Sequence, residues 1–333
     1  MFEPLSAQRV MHQYFQAAYD YSREVVERAL AGERQIAFLL GATRSGKTLV
    51  SDLLLEDFPQ QTLQGQQSFP VIRVPTPTRP TKKAMAEAIL GQLDSRRYGR
   101  YSTDQATTRA VYLLRAAQVR VVLFDEVQHI VERNTSKSWY EIADWLKALS
   151  DELQLSLLLV GLPMAREIIE VNHQLRDRAA PPHILFPYNW NRPEDIAEFC
   201  RCLLSISQVL AAQGYQVPDM TNLDLVRRCY ASSVGRYGMV VKLFEEARHR
   251  AGTSRSITLS TLFEAHRLSI ATNANAENPF DPDTDLPDSV LVQRYVALLN
   301  ESGLSVTGRS SKAASPMKTA PLTGRGAGAR GAQ

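Results

Sequence analysis

The sequence predicts an α/β fold in which a five-stranded parallel sheet precedes a small all-helical domain. Five short apolar runs support the sheet, because they suit strands that are buried on both faces. They occupy residues 35–40, 70–74, 119–124, 155–160 and 183–186. Segments of helical period lie between these runs, as right-handed crossovers between parallel strands require. After PYNW at 187–190 the apolar runs cease, and the chain reads as helical.

The helical segments divide the chain into regions. Between the strands, helices are predicted at 45–58, 81–93, 103–117, 138–153 and 164–179. Beyond Asn191–Asp195, where a proline and two acids are typical of a first helical turn, four more are predicted at 194–213, 222–233, 237–251 and 259–272. We expect an N-terminal helical arm at 1–30, an α/β domain at 31–190, a helical lid domain at 191–275, an extension at 276–302 and a disordered basic tail at 303–333.

The composition favours a soluble globular protein. The 333 residues are 44% apolar and 22% charged, with a formal net charge of +3. No apolar run of about 18 residues occurs, and the N-terminus lacks the basic-then-apolar layout of a secretory signal. These features predict an intracellular protein with no membrane partner. Cys200, Cys202 and Cys229 lack the paired spacing of a zinc site, so we expect them to be buried helix residues.

The C-terminal tail is basic. Its five cations stand without any acid, in a mixture of Gly, Ala, Ser and Pro. Such a segment cannot bury enough apolar surface to offset the entropy of ordering it. Contact with DNA or a partner protein and an inert solvated end both fit this composition.

The segment GATRSGKT has the spacing of a P-loop. It follows a predicted strand and opens a helix, so backbone N–H groups and the helix N-terminus would face the phosphates of a nucleotide. Lys47 would contact the β and γ phosphates, and the Thr48 hydroxyl would bind Mg²⁺. The predicted ATP contacts in this segment are Gly41, Ala42, Thr43, Arg44, Ser45, Gly46, Lys47, Thr48 and Leu49.

Two acids follow the third predicted strand, in VVLFDEVQHI. Asp125 would hold Mg²⁺ through its water shell, and Glu126 would orient or deprotonate the attacking water. The alternative is a strand that ends in acids at a solvated edge. Together with the helical second domain, the acid pair favours hydrolysis of ATP over phosphorylation of a small molecule.

Four basic residues are candidates for contacts with the γ-phosphate. Arg178, just before the fifth strand, is the preferred arginine finger from a neighbouring subunit, and Arg176 is the reserve. Arg236 and Lys242 open a helix of the lid and would couple phosphate loss to domain rotation. Surface solvation or an ordinary ion pair is the alternative for each of them.

These motifs in this order resemble the AAA+ family, and more closely the TniB/TnsC transposition ATPases. The sharper points of likeness are DEVQH, VGLPMAREII and NPFD, and the resemblance covers roughly residues 30–285. It implies an ATP- and Mg²⁺-dependent ATPase of the bacterial cytoplasm that forms rings or helical filaments on double-stranded DNA. It also implies two protein partners, a TniQ-like target-selection protein, in some systems CRISPR-guided, and a DDE transposase.

The resemblance places the DNA backbone against the segment after the second strand. Its candidate contacts are Arg79, Lys82, Lys83, Arg96, Arg97, Arg100, Ser102 and Thr103. Cations and hydroxyls without a base-reading pattern suit phosphate contact, whereas the alternative is a solvated helix face. The chain departs from the family in reading Gly161-Leu162-Pro163 where many members place a polar sensor, and Ala179 where a phenylalanine often follows the finger arginine.

Two other functions remain open at this point. A helicase loader or other AAA+ remodeller would act on a protein ring or on single-stranded DNA. A signalling ATPase would have no role on DNA and would use the tail for protein docking.

Overall fold

The computed structural model describes residues 5, 11–63, 66–94, 100–132, 135–271 and 277–304. The strands are β1 (Ile36–Gly41), β2 (Gln61–Leu63), β3 (Gln66–Ser68), β4 (Val71–Pro75), β5 (Val121–Asp125), β6 (Ser156–Gly161) and β7 (His183–Leu185). Five of them form a parallel sheet in the order β4-β5-β6-β1-β7, which confirms the predicted sheet. The P-loop strand β1 and the acid-bearing strand β5 therefore flank β6.

Helices cover the sheet and form a second body after it. The helices are α1 (Gln13–Leu30), α2 (Lys47–Asp57), α3 (Lys82–Leu93), α4 (Thr103–Ala116), α5 (His129–Glu132), α6 (Ser136–Leu153), α7 (Glu167–Val171), α8 (His173–Arg176), α9 (Pro193–Ala212), α10 (Leu223–Ser233), α11 (Tyr237–Ala251), α12 (Leu259–Ser269) and α13 (Asp288–Glu301). Short 3₁₀ turns occupy Pro163–Arg166 and Gly252–Ser254.

Alternation along the strands sends side chains to two apolar layers. In β1, Phe38 and Leu40 pack in the layer that contains α3, α4 and α6. Ala37 and Leu39 pack in the opposite layer with α1 and α2. The N-terminal helix α1 therefore packs against the sheet along its length, with Phe15, Ala18 and Val26 among its buried residues.

The segments 61–68 and 164–179 differ from their predicted secondary structure, and the short helix α5 was not predicted. The hairpin β2–β3, paired antiparallel, was not predicted because its short polar strands carry no apolar run. The single helix predicted at 164–179 is wrong, because the segment forms a 3₁₀ turn followed by α7 and α8. The break falls at Asn172, whose backbone is extended and whose side-chain oxygen caps α8 by accepting from the Leu175 N–H at 3.1 Å.

The helical lid consists of α9–α12, and α13 packs beside it. Its core contains Phe199, Tyr230 and Phe244 together with Leu291 of α13. The carboxylate of Asp288 at the start of α13 accepts from the Trp190 indole N–H at 2.8 Å. The predicted extension at 276–302 is thus mostly one helix that contributes to the lid core. Residues 305–333, which make up most of the predicted tail, lie outside the described residues.

No helix in the described part of the chain is long and apolar enough to cross a membrane. Cys202 and Cys229 are buried in the lid core, where burial raises the pKa of each thiol to about 12.

Candidate nucleotide-binding site

The P-loop, residues Gly41–Thr48, joins the end of β1 to the start of α2. Gly46 is the N-cap of α2 and has φ of +107°, a backbone angle that residues with a side chain rarely adopt. At Gly41 a Cβ would come within 2.8 Å of both the Leu185 carbonyl oxygen and the Ser45 hydroxyl. Both glycines of the motif are therefore required by geometry, one for its backbone angle and one for space.

The Lys47 side chain folds back against the P-loop backbone. Its ammonium donates to the carbonyl oxygens of Gly41 and Ala42, at 2.8 Å each, and the residue is 8% exposed. Burial lowers the pKa of the ammonium to about 8, although the Glu126 and Asp125 carboxylates oppose this shift. The charge predicted to meet the phosphates lies on the P-loop side of a cavity that Glu126 also lines.

A cavity of about 560 Å³ opens above the P-loop. Its lining residues are Leu5, His12, Phe15, Thr43, Arg44, Ser45, Gly46, Lys47, Thr48, Leu49, Asp52, Glu126, Leu162, Tyr237, Gly238 and Val241. They include six consecutive P-loop residues followed by Leu49, and they come from the N-terminus, the sheet edge and the lid. The Ser45 hydroxyl is buried here without a hydrogen-bond partner among the described residues. An unpaired buried donor that lines a cavity suits a polar ligand.

One end of this cavity is apolar and aromatic, and sequence reasoning did not predict it. His12 and Phe15 come from the start of α1, and Tyr237 and Val241 come from the start of α11. The His12 ring lies 5.2 Å from the Tyr237 ring and 5.7 Å from the Phe15 ring, measured between centroids. Burial lowers the pKa of His12 to about 4, so the imidazole is neutral at pH 7. The clustering of aromatic residues at 12–21 was an available signal, but their distance from the P-loop in sequence hid it.

The two predicted acids lie at the end of β5 in different surroundings. Asp125 is 5% exposed, and its Oδ1 accepts from the Glu126 N–H at 2.9 Å. Glu126 is exposed to the cavity and has φ of +57°, in the left-handed region. Such an angle is uncommon for a residue with a side chain and is concentrated at functional sites.

Arg73 links the buried acid to the P-loop helix. Its Nε donates to Asp125 Oδ2 at 3.1 Å, its Nη2 contacts the same oxygen, and its Nη1 donates to Asp52 Oδ1 at 2.7 Å. The residue was not among those predicted. An arginine inside the apolar run PVIRV was the signal that could have identified it, because a cation in a buried strand requires a partner.

Thr48 and Asp125 fit a magnesium ion by the chemistry of their donors. Mg²⁺ prefers hard oxygen ligands, and it usually binds one or two carboxylates, waters and phosphate oxygens. Thr48 lines the cavity. Asp125 is not among the lining residues but lies at the end of β5, one strand removed from β1, where its carboxylate accepts a hydrogen bond from Arg73. Hydrogen bonds of this kind orient carboxylates that bind metals.

The lid touches the P-loop through the start of α11. Arg236 precedes this helix, and its Nη1 lies 3.4 Å from the Thr43 hydroxyl while its Nε donates to the Ser233 carbonyl at 3.1 Å. Burial lowers the pKa of its guanidinium. Lys242 follows Val241 in the same helix but is not among the residues that line the cavity. Arg236 thus contacts the P-loop at Thr43, but like Lys242 it is not among the residues that line the cavity.

The two finger candidates lie on the surface, away from this cavity. Arg178 forms an ion pair with Asp151, which also pairs with Arg34 at 3.0 Å. This hydrogen bond from Arg178 holds the pKa of the Asp151 carboxyl below its usual value. The Arg176 side chain is 54% exposed and lies 4.0 Å from Asp177. Neither arginine lines the cavity of its own chain.

The candidate DNA contacts lie at the starts of α3 and α4. Arg79 is exposed, and Lys82 and Lys83 are half-buried in the first turn of α3. Arg100 and Thr103 are exposed, and the Ser102 hydroxyl caps α4 by accepting from the Gln105 N–H at 3.2 Å. Arg96 and Arg97 lie outside the described residues.

Comparison with solved structures supports the predicted fold class. The Aeropyrum pernix ORC1 protein in complex with DNA aligns with a TM-score of 0.54 at 21% identity, over 77% of this chain and 65% of that chain. The Aeropyrum pernix ORC2 protein with ADPNP and ADP gives a TM-score of 0.55 at 13% identity, over 78% of this chain and 68% of that chain. Cdc6p from Pyrobaculum aerophilum gives a TM-score of 0.56 at 14% identity, over 77% of this chain and 67% of that chain. The chain thus spans about two thirds of the length of these structures, and the likeness establishes an AAA+ fold.

A family comparison goes further. A search of curated protein sequences finds no match. The family model described as "Bacterial TniB protein" matches residues 5–188, which is more than half of the chain and includes the P-loop, both acids and the whole sheet. This chain belongs to the TniB family.

Proposed function

We propose that this protein is an ATP-dependent regulator of DNA transposition that assembles on double-stranded target DNA. In this role it links a TniQ-like target-selection protein, in some systems CRISPR-guided, to a DDE transposase, and ATP hydrolysis drives its disassembly. The observation that carries the proposal is one cavity lined jointly by the P-loop, by Glu126 and by the lid helix α11. A nucleotide in that cavity would contact the groups for phosphate binding, for hydrolysis and for movement of the lid.

The chemistry follows from the positions of the described groups. The P-loop N–H groups and Lys47 would bind the β and γ phosphates, and the aromatic end at Phe15 and Tyr237 would take the base. The Glu126 carboxylate faces the cavity and would accept the proton of the attacking water. When bound at Thr48 and Asp125, Mg²⁺ would neutralise the charge that develops on the phosphates.

The arrangement also suggests why hydrolysis would depend on assembly. Among the described residues that line the cavity, the arginines and lysines are Arg44 and Lys47, both from the P-loop itself. Stabilising the charge of the transition state commonly requires a further arginine, which can come from a neighbouring subunit. Arg178 is held at the surface by Asp151 and is available for that role in a homo-oligomer. Family membership supports the link to transposition.

Size analysis with ATP, Mg²⁺ and duplex DNA tests the proposal. The wild-type chain should form large assemblies that electron micrographs resolve as rings or filaments, and these should shrink as ATP is consumed. Lys47→Ala should remain monomeric, because the phosphates lose their cation. Glu126→Gln should bind ATP normally and stay assembled, because water activation is lost.

The outcome also separates this function from its competitors. A wild-type chain that remains monomeric under these conditions contradicts the proposal. Preference for single-stranded over duplex oligonucleotides in competition would favour a helicase loader. Assembly that depends on neither duplex nor single-stranded DNA would favour a signalling ATPase.

A further inference from the structure

The amide of Gln128 connects Glu126 to the end of strand β6. Gln128 lies two residues after Glu126 and is 4% exposed. Its Nε2 donates to Glu126 Oε2, and its Oε1 accepts from the Leu162 backbone N–H at 3.1 Å. If the amide were rotated by 180°, its oxygen would face the Glu126 carboxylate and its NH₂ group would face the Leu162 N–H, and both contacts would be repulsive. These two partners therefore fix the orientation of the Gln128 amide.

Gly161 provides the space that this amide occupies. A Cβ at Gly161 would lie 2.6 Å from Gln128 Oε1 and 2.9 Å from the Val127 methyl Cγ2. A real Cβ does not approach other atoms so closely, so any side chain at position 161 would displace the Gln128 amide or the backbone beside it. Gly161 and Leu162 have no polar side chain of their own. The Gln128 side chain, from the loop after β5, supplies a polar group at this position instead.

The same link supports an unusual backbone. Glu126 has φ of +57°, and its own N–H is bound by Asp125 Oδ1. The next residue, Val127, donates its N–H to the Val160 carbonyl of β6 at 3.0 Å. One backbone hydrogen bond and one side-chain amide thus tie the Glu126 turn to β6. Because Gln128 binds only Oε2 of the Glu126 carboxylate, Oε1 is left for contacts in the cavity that Glu126 lines.

We propose that Gln128 is a positioning residue for hydrolysis, which holds the Glu126 carboxylate at the γ-phosphate end of the cavity by anchoring it to the Gly161–Leu162 backbone. This inference rests on the proposed ATPase function. Gln128 does not touch the nucleotide in this scheme. It restricts the rotamers of Glu126, and misplacing a catalytic group by about 1 Å can cost on the order of 100-fold in rate.

Three variants test the link. Gln128→Met keeps the length and volume of the side chain but removes both strong hydrogen bonds. Gly161→Ala leaves Gln128 intact and pushes its amide away. The third variant combines the two substitutions. Gly91→Ala is the matched control for Gly161→Ala, because a Cβ at Gly91 in α3 meets nothing within 4 Å.

The measurements are the turnover number for ATP, the Kd for a fluorescent ATP analogue, and amide hydrogen exchange at Leu162. Both single variants should lower the turnover number about 10- to 100-fold while the Kd stays within about twofold. The double variant should be scarcely slower than either single one, because both act through one contact. Exchange at Leu162 should accelerate in Gln128→Met, and Gly91→Ala should match the wild type in every measurement.

Three outcomes would overturn the inference. The first is unchanged turnover in Gln128→Met, and the second is a Kd that weakens in proportion to the loss of turnover, as expected for a merely structural role. The third is full additivity in the double variant. Failure of the proposed function looks different, because there the wild-type chain itself would bind ATP and not hydrolyse it.

Discussion

Gly238, in the first turn of the lid helix α11, lies directly against the carbonyl oxygen of Arg44 in the P-loop. A Cβ at Gly238 would come within 2.4 Å of that oxygen. The lid therefore rests on the P-loop backbone with no intervening side chain at this point. A change in the P-loop on nucleotide binding would be transmitted to α11 through this contact, because close-packed elements cannot deform continuously.

Gly238→Ala should separate the lid from the P-loop. We expect the affinity for ATP to fall about tenfold, because the cavity loses its close contact with Tyr237 and Val241. A fluorescence titration with an ATP analogue measures this change. Gly91→Ala introduces the same methyl group in a helix without a close neighbour and should leave the affinity unchanged. Equal affinities for the two variants would contradict a role for the contact.

Replacing Lys82 and Lys83 with glutamine should weaken DNA binding on every duplex sequence. Each phosphate contact that is lost should reduce the slope of log affinity against log salt by about 0.9, so the pair should reduce it by about 2. Binding measured by fluorescence anisotropy across a salt series gives the slope. Arg23→Gln with Arg28→Gln removes two cations from the exposed face of α1 and serves as the control. An unchanged slope in the Lys82/Lys83 variant would exclude these lysines from the DNA interface.

Arg178→Ala should reduce ATP turnover in the assembled state by about 10³-fold with little effect on ATP affinity, if this arginine acts on the neighbouring subunit. Mixing Arg178→Ala with Glu126→Gln subunits, which are expected to stay assembled, should restore turnover above that of either alone. Each mixed interface can then combine an intact Glu126 from one subunit with an intact Arg178 from the other. Arg34→Gln is the control, because Arg34 shares the Asp151 carboxylate. Absence of complementation would rule out a role in trans, and Arg176 would be tested next.

His266 should make the lid less stable in acid. It is buried, its Nδ1 lies 2.9 Å from the Ser232 hydroxyl, and burial, assisted by Arg294, lowers its pKa to about 4. The unfolded chain takes up a proton near pH 6.5 and the folded chain does so only near pH 4, so stability is lost as pH falls through this window. The loss from this residue should reach about 2 kcal/mol between pH 7 and pH 5.

Urea unfolding at pH 7, 6 and 5 measures the effect. His266→Gln should lose less stability over this range than the wild type, whereas Ser232→Ala should retain the pH dependence because the imidazole stays buried. Parallel curves for the wild type and His266→Gln would contradict the assignment.

Local chemistry in the sequence determined the fold class and the family. Buried parallel strands must be apolar on both faces, so β1, β5 and β6 were visible as continuous runs, and the P-loop and the acid pair stood at their ends. Each of these signals depends on residues within about ten positions of each other. The sheet, the AAA+ fold and membership of the TniB family were all predictable for that reason. The finger and the DNA contacts stay predictions.

Only the tertiary structure decided which distant residues share the site. The order of the strands places β6 between β1 and β5, and so brings Leu162 to Gln128 and Glu126. Packing of α1 on the sheet brings Phe15 to the P-loop cavity, although the aromatic residues at 12–21 are far from the P-loop in sequence. Contacts of this kind depend on packing between elements far apart in sequence, where side-chain shape and strand order select the neighbours. The sequence therefore determined the P-loop and the acid pair, and packing decided which residues surround them.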